Sequence, residues 1–265
     1  MRALRTATTG MAAQQMNVEV ISNNIANMNT IGFKKQRAEF QDLLYDNVQR
    51  MGAQSSDAGT VVPTGVQIGA GVKAGSVYRI LTQGTPTLTG DPYDVAIQGK
   101  GYFQITMPSG ETAYTRAGNF QLDDQGRLVT SDGYLTNPAI TVPQGSTSFT
   151  ISKTGEVQVT PAGASAPTTI GQLQLATFYN EPGLEAIGDN LFLQSGASGA
   201  PNVANPGDTG SQTGTLLQNY IESSNVDAVS EITALIVAQR AYEMNSKVIT
   251  TADDMLQTTS QLARG

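Results

Sequence analysis

Among the closest acidic pairs in the chain are Asp91 with Asp94, Asp123 with Asp124, and Asp253 with Asp254. Two carboxylates are all that glycoside hydrolysis requires, so these are the residues with which chemistry could begin. The 265 residues contain no His and no Cys. That removes Cys/His zinc sites, thiolate nucleophiles and every triad that uses imidazole as its base. The setting of the pairs argues against catalysis too. Asp123 and Asp124 fall at a hairpin tip, and Asp253 and Asp254 fall among exposed helix positions where solvated acids are ordinary. Gly69-Ala70-Gly71-Val72-Lys73-Ala74 fits a loose dinucleotide fingerprint, yet it precedes the strand-like SVYRIL where the fingerprint must open a helix. Lys153-Thr154-Gly155 matches the K-T-G of penicillin-binding enzymes, but the sequence has no S-x-x-K to supply a nucleophile. No catalytic, cofactor-binding or metal-ligating residue is assigned, and no cofactor is expected.

The net charge of −7, with one dense basic cluster at Lys34, Lys35 and Arg37, argues against a nucleic-acid partner. No apolar run reaches the ~20 residues of a membrane span, and Thr, Gln and Asn interrupt the N-terminus too often for a signal peptide. The expectation is a soluble chain with no membrane insertion and no cleaved address.

Positioning falls to two long helices. Leu4, Ala7, Met11, Gln14, Val18, Ile21, Ile25 and Met28 alternate spacings of three and four, and so do Leu235, Ala238, Tyr242, Asn245, Ile249, Ala252, Leu256, Thr259 and Ala263. A mean spacing of 3.5 keeps one narrow seam facing a partner helix. A second column, Val248, Met255 and Leu262, runs beside the later seam. The Ser224 and Asp227 spacing of a capping box predicts a helix from near Asn225 to near Leu262. Residues 1–40 carry five Lys/Arg against two Glu and residues 215–265 carry three against six Asp/Glu, so +3 faces −3. Opposite signs favour pairing of the N- with the C-terminal helix, as orientation more than adhesion.

Between the helices the period falls to 2. YFQITMPSGETAYTR, NFQLDDQGRLVT and FTISKTGEVQVT each alternate about a Gly-containing turn, while IGQLQLATF and NLFLQ add further strands. The fold class expected is mixed: a discontinuous α-helical coiled coil formed by the N-terminal (1–40) and C-terminal (215–265) segments, a central all-β domain at 75–214, and an extended connector at 41–74. Asn27, Asn29 and Gly32 suit a helix-terminating joint, because Asn and Gly tolerate left-handed backbone, with Lys34 and Lys35 near the negative end of the helix dipole. Two amphipathic helices are too thin to hide their apolar surface, so copies are expected to associate.

ISNNIANMNTIGFKKQRAEFQDLLY and SNVDAVSEITALIVAQRAYEMNSKVITTADDML resemble the N- and C-terminal signatures of the bacterial flagellar rod and hook proteins, and DVAIQGKGYFQI and YTRAGNFQLDDQGRLVTSDGYL resemble the same family's interior. The resemblance covers nearly the whole chain and is strongest to the distal part of the rod. It implies a structural protein and not an enzyme: a subunit that polymerises helically into a rigid hollow drive shaft carrying motor torque to the hook. It further implies export by the type III apparatus without a cleaved signal, and a location in the basal body from periplasm to outer membrane. The implied partners are other copies of itself, the proximal rod proteins, the hook protein and the P-ring and L-ring proteins. Leu4, Met11, Val18, Ile21, Ile25, Leu235, Tyr242, Ile249 and Leu256 are then the subunit-interface seam. Gly52, Gln54, Ser55, Ser56 and Pro63 belong to a rod-type insertion expected to keep the shaft straight. A proximal rod or hook subunit is the neighbouring reading, and a periplasmic carbohydrate-active β-domain protein the distant one.

Overall fold

A computed structural model describes residues 2–49, 64–163, 166–208 and 210–262. It divides into two compact units: Met1–Ile25, Gln36–Tyr78 and Asp227–Gly265 form a helical unit, and Ala26–Lys35 with Arg79–Val226 form a β unit.

In the helical unit, α1 spans Arg2–Ala26 and α2 spans Ala228–Leu262. The first helix is shorter than the expected 1–40, because Gln36–Asp42 is a strand whose Gln36, Ala38 and Phe40 face inward in period 2. The second begins three residues later than Asn225. Asp227 caps it, its Oδ1 accepting from the Ser230 N–H at 2.8 Å. Asn225 is committed elsewhere: its Oδ1 accepts from Lys35 N at 2.7 Å and its Nδ2 donates to Ile80 O at 2.8 Å.

The described part of the 41–74 connector is more regular than an extended linker. Gln36–Asp42 pairs with Val72–Arg79, and Tyr45–Gln49 pairs antiparallel with Val66–Gly69. The result is a two-stranded ribbon, an element that is marginal alone in water. Its Leu44, Tyr45, Val48, Val66 and Ile68 are all exposed, Leu44 by 89%. The insertion residues Gly52, Gln54, Ser55, Ser56 and Pro63 lie outside the described residues.

The β unit is built on a nine-stranded sheet in which Tyr102–Thr106 is central, pairing antiparallel with Thr112–Thr115, Leu135–Thr136 and Leu175–Thr177. All three turn signals in the sequence form hairpins, with Gly110, Gly126 and Gly155 at φ +86°, +75° and +86°. The central strand is buried on both faces, which its alternation allows. Phe103 and Ile105 enter the main core with Phe120, Leu128, Leu175 and Leu216, while Tyr102 joins Tyr114 and Phe178 on the other side. The β structure runs beyond the expected limit at 214. Thr215–Gln218 pairs with Val95–Gln98, and Tyr220–Glu222 pairs with Pro86–Leu88. Among the described residues no helix is long and apolar enough to cross a membrane.

Phe103 is almost fully buried and meets Phe120 edge to face at 5.1 Å. Phe103→Ala should cost about 3–5 kcal/mol of β-unit stability. This will appear in urea titrations as a lower midpoint for the β-sheet transition, with the helical signal of α1 and α2 retained.

Candidate functional site

Among the described residues no cluster of catalytic groups emerges, so the functional question becomes how the joint after α1 is built and which surface the helical unit offers. In the β unit, α1 gives way to a turn in which Thr30 N donates to Asn27 O at 3.2 Å and Thr30 Oγ1 donates to Asn27 Oδ1 at 3.1 Å. Gly32 alone of the three joint residues takes a positive φ, +71°. A Cβ at Gly32 would stand 2.8 Å from Ala117 N and 2.9 Å from the Arg116 carbonyl carbon, so both conformation and space demand glycine there. Asn27 works through its side chain and carbonyl, and Asn29 is exposed.

Lys34 is turned inward and does not sit at a helix dipole. Its ammonium donates to Glu222 Oε1 and, at 3.0 Å, to Thr82 O. Arg116 Nε donates to Glu222 Oε2 at 2.7 Å, while its Nη1 and Nη2 each donate at 2.6 Å, to Gly101 O and Gly99 O. Gly84 N and Gly32 N complete the site by donating to Glu222 Oε1 at 2.9 Å and Glu222 O at 2.8 Å. Glu222 is 0% exposed, so one dry carboxylate collects two cations and the backbone of the joint. Burial pushes the Glu222 carboxyl up, but the charges of Arg116 and Lys34 and the hydrogen bonds they donate outweigh it and hold it below its ordinary value. At Lys34 burial is the larger influence and draws the ammonium down against the pull of Glu222. Two of the charges counted toward helix orientation are therefore spent on each other inside the β unit. Neither Arg116 nor Glu222 carries a local signal of burial, since each reads as an ordinary polar residue at a strand end.

In the helical unit the seam positions differ in exposure. Ile21 is buried, Leu4, Met11, Val18, Ile25, Leu235 and Ile249 are half-buried, and Tyr242 and Leu256 are exposed. Ala7, Ala238 and Ala252 on the same columns are buried, as are Ala13, Val20 and Asn24 beside them. Two contacts between the helices stand out among the described residues. Asn24 Nδ2 donates to Glu231 Oε2 at 3.0 Å, and Asn245 lies over Gly10. On α2, Val229, Ile232, Ile236, Met244, Val248, Met255 and Leu262 remain exposed, several by more than half.

The acidic pairs are dispersed. Asp123 Oδ1 accepts from the Gln125 and Arg127 N–H groups at 2.9 and 2.7 Å, and Arg127 Nε donates to its Oδ2 at 2.7 Å. Asp91 closes a turn on Tyr93 N at 2.9 Å, Asp94 accepts from Thr89 Oγ1 at 2.5 Å, and Asp253 accepts from Gln257 at 3.1 Å. Asp91, Asp94 and Asp123 are thus occupied in local turns, and Asp253 on a helix face.

Three family models match in chain order: "Flagella basal body rod protein" over residues 4–34, "Flagellar hook protein FlgE/F/G D1 domain" over 96–159, and "Flagellar basal body rod FlgEFG protein C-terminal" over 217–262. They define the class as the axial structural proteins of the bacterial flagellum. The flagellar basal-body rod protein FlgG of Caulobacter vibrioides is 71% identical over 262 residues, covering 99% of both chains. That of Agrobacterium fabrum is 52% identical over 98% of this chain and 99% of its own, and that of Bacillus subtilis 42% identical over all of both. The chain belongs to the FlgG family of flagellar basal-body rod proteins, structural subunits of the distal rod.

Replacing Glu222 with Gln leaves two buried cations facing a neutral amide, which should cost about 3–5 kcal/mol. The native carboxylate's contribution is complete above the ordinary glutamate value of about 4.3 and is lost as pH falls through its own lower value. Urea midpoints taken from about pH 6 to about pH 3 should therefore fall more steeply for the native chain than for Glu222→Gln.

Proposed function

We propose that the chain polymerises through its terminal helices into a hollow, rigid shaft that carries torque along the distal rod. In this reading α1 and α2 pair as a coiled coil, and copies pack side by side into a tube. The β unit forms the outer wall, facing the P-ring and L-ring proteins. Proximal rod proteins and the hook protein adjoin the two ends, and each subunit arrives through the type III export apparatus without a cleaved signal. The assembly extends from the periplasm to the outer membrane.

The observation that carries this reading is the apolar stripe left uncovered on α2, with Met244 63%, Met255 59% and Leu262 79% exposed. A solitary protein has little reason to wet so continuous a stripe, whereas lateral packing of copies hides it. Each such side chain, once fully buried, contributes on the order of 2 kcal/mol, and repetition along the shaft multiplies that term. The exposed apolar residues of the Tyr45–Gln49 and Val66–Gly69 ribbon point the same way, toward cover supplied by neighbouring copies.

Met255→Asp should raise the concentration needed for polymerisation at least tenfold while leaving the urea transition of the β unit unchanged. Polymerisation at the native threshold would remove the stripe from the interface. Deleting Gly52–Pro63 should leave polymerisation intact but give curved or flexible filaments by electron microscopy, and straight, stiff rods would show that the insertion does not brace them.

A further inference from the structure

An apolar seam of nearly uniform chemistry can slide by one heptad with little loss, so something must fix how far α1 runs past α2. Two polar features of the helical unit break the uniformity. Asn24 is buried: its Nδ2 donates to Glu231 Oε2 at 3.0 Å and to Gln36 O at 2.9 Å, and its Oδ1 accepts from Gln36 N at 2.8 Å. The second is Gly10, a glycine inside α1 where helix propensity disfavours it. Its missing side chain is where Asn245 lies: a Cβ there would stand 2.9 Å from Asn245 Nδ2 and 3.3 Å from its Cγ and Oδ1.

Gly10 lies fourteen residues before Asn24, and Asn245 fourteen residues after Glu231, so both contacts belong to one antiparallel alignment. Carried along the helices, that alignment sets, to within one residue, Leu4 opposite Ala252, Ala7 opposite Ile249, Val18 opposite Ala238 and Ile21 opposite Leu235. Three of these four pairs match a small residue to a large one, as an interdigitated seam requires, and Ala7, Ala238 and Ala252 are buried. A slip of one heptad either way takes Glu231 out of reach of Asn24 and sets Asn245 against Ala3 or Asn17, where there is no notch.

We propose that the Asn24–Glu231 hydrogen bond and the Gly10–Asn245 notch are the two register pins of the helix pair, selecting one stagger of α1 on α2 from those the apolar seam alone would tolerate. The proposal rests on the helix pairing proposed above and adds which residues decide its alignment.

Because the chain has no Cys, engineered cysteines are the only thiols, and disulfide formation within the full-length chain reports register. Ala7→Cys with Ile249→Cys tests the proposed stagger, and Ala7→Cys with Tyr242→Cys or Leu256→Cys tests the slips of a heptad either way. The first pair should oxidise at least tenfold faster than the other two. In an Asn24→Leu/Glu231→Leu background, and separately in Gly10→Leu, the slipped pairs should rise to within threefold of it. Adding Asn245→Ala to Gly10→Leu should restore the tenfold preference. A preference that survives both backgrounds would overturn the pins while leaving the pairing intact. If none of the three pairs closes within a chain in any background, the pairing itself fails and the register proposal with it.

Discussion

A carboxylate shut away from water must find its counter-charges within the protein, and in the β unit that demand falls on Glu222. It is met by Lys34 from the stretch that follows α1 and by Arg116 from the end of the Thr112–Thr115 strand, with Gly84 and Gly32 supplying backbone donors. Three distant parts of the chain thus converge on one group. The stretches leading out of α1 and into α2 are held at that point, because Glu222 sits just before the second helix and its own carbonyl takes the Gly32 N–H. A buried ion pair adds little net stability compared with well-packed apolar residues, but it is unforgiving of partial loss. Its value here is geometric, since it ties the joint at Gly32–Lys34 to the strand that ends at Glu222 within the β unit.

The helical unit follows the opposite logic. Ala7, Ala238 and Ala252 of its helices are buried, while an apolar stripe of α2 and the apolar residues of its ribbon are exposed. The β unit completes its core with its own strands, whereas the helical unit presents apolar surface to solvent. That contrast fits the assembly proposed above, with the exposed stripe as its interface.

The two helices and the three hairpins were legible in the sequence because each imprints a local period: three-and-four spacing for the former, alternation about a glycine turn for the latter. The ends of elements were less legible. Gln36–Asp42 is polar enough to hide its alternation beside the helix signal, and Asn225 reads as a helix start until its amide is seen bridging Lys35 to Ile80. At the site, Gly32 could be anticipated from its residue type. Lys34, Arg116 and Glu222 could not, because nothing in a short window reveals a partner lying 188 or 106 residues away. Asn24 was hidden for the same reason, lying just off the apolar columns with its partner 207 residues distant.

The charged trio also bears on how such a chain can drift over generations. Swapping Glu222 for a hydrocarbon strands both cations, swapping either cation leaves one buried carboxylate oxygen short of its charged donor, and the guanidinium is further committed to the carbonyls of Gly99 and Gly101, whose φ values of +109° and +134° few other residues can adopt. An oily replacement of the whole trio is reachable only through intermediates that fold badly. The three positions are therefore locked together, and a lineage leaves this arrangement by changing all of them at once or keeps it indefinitely.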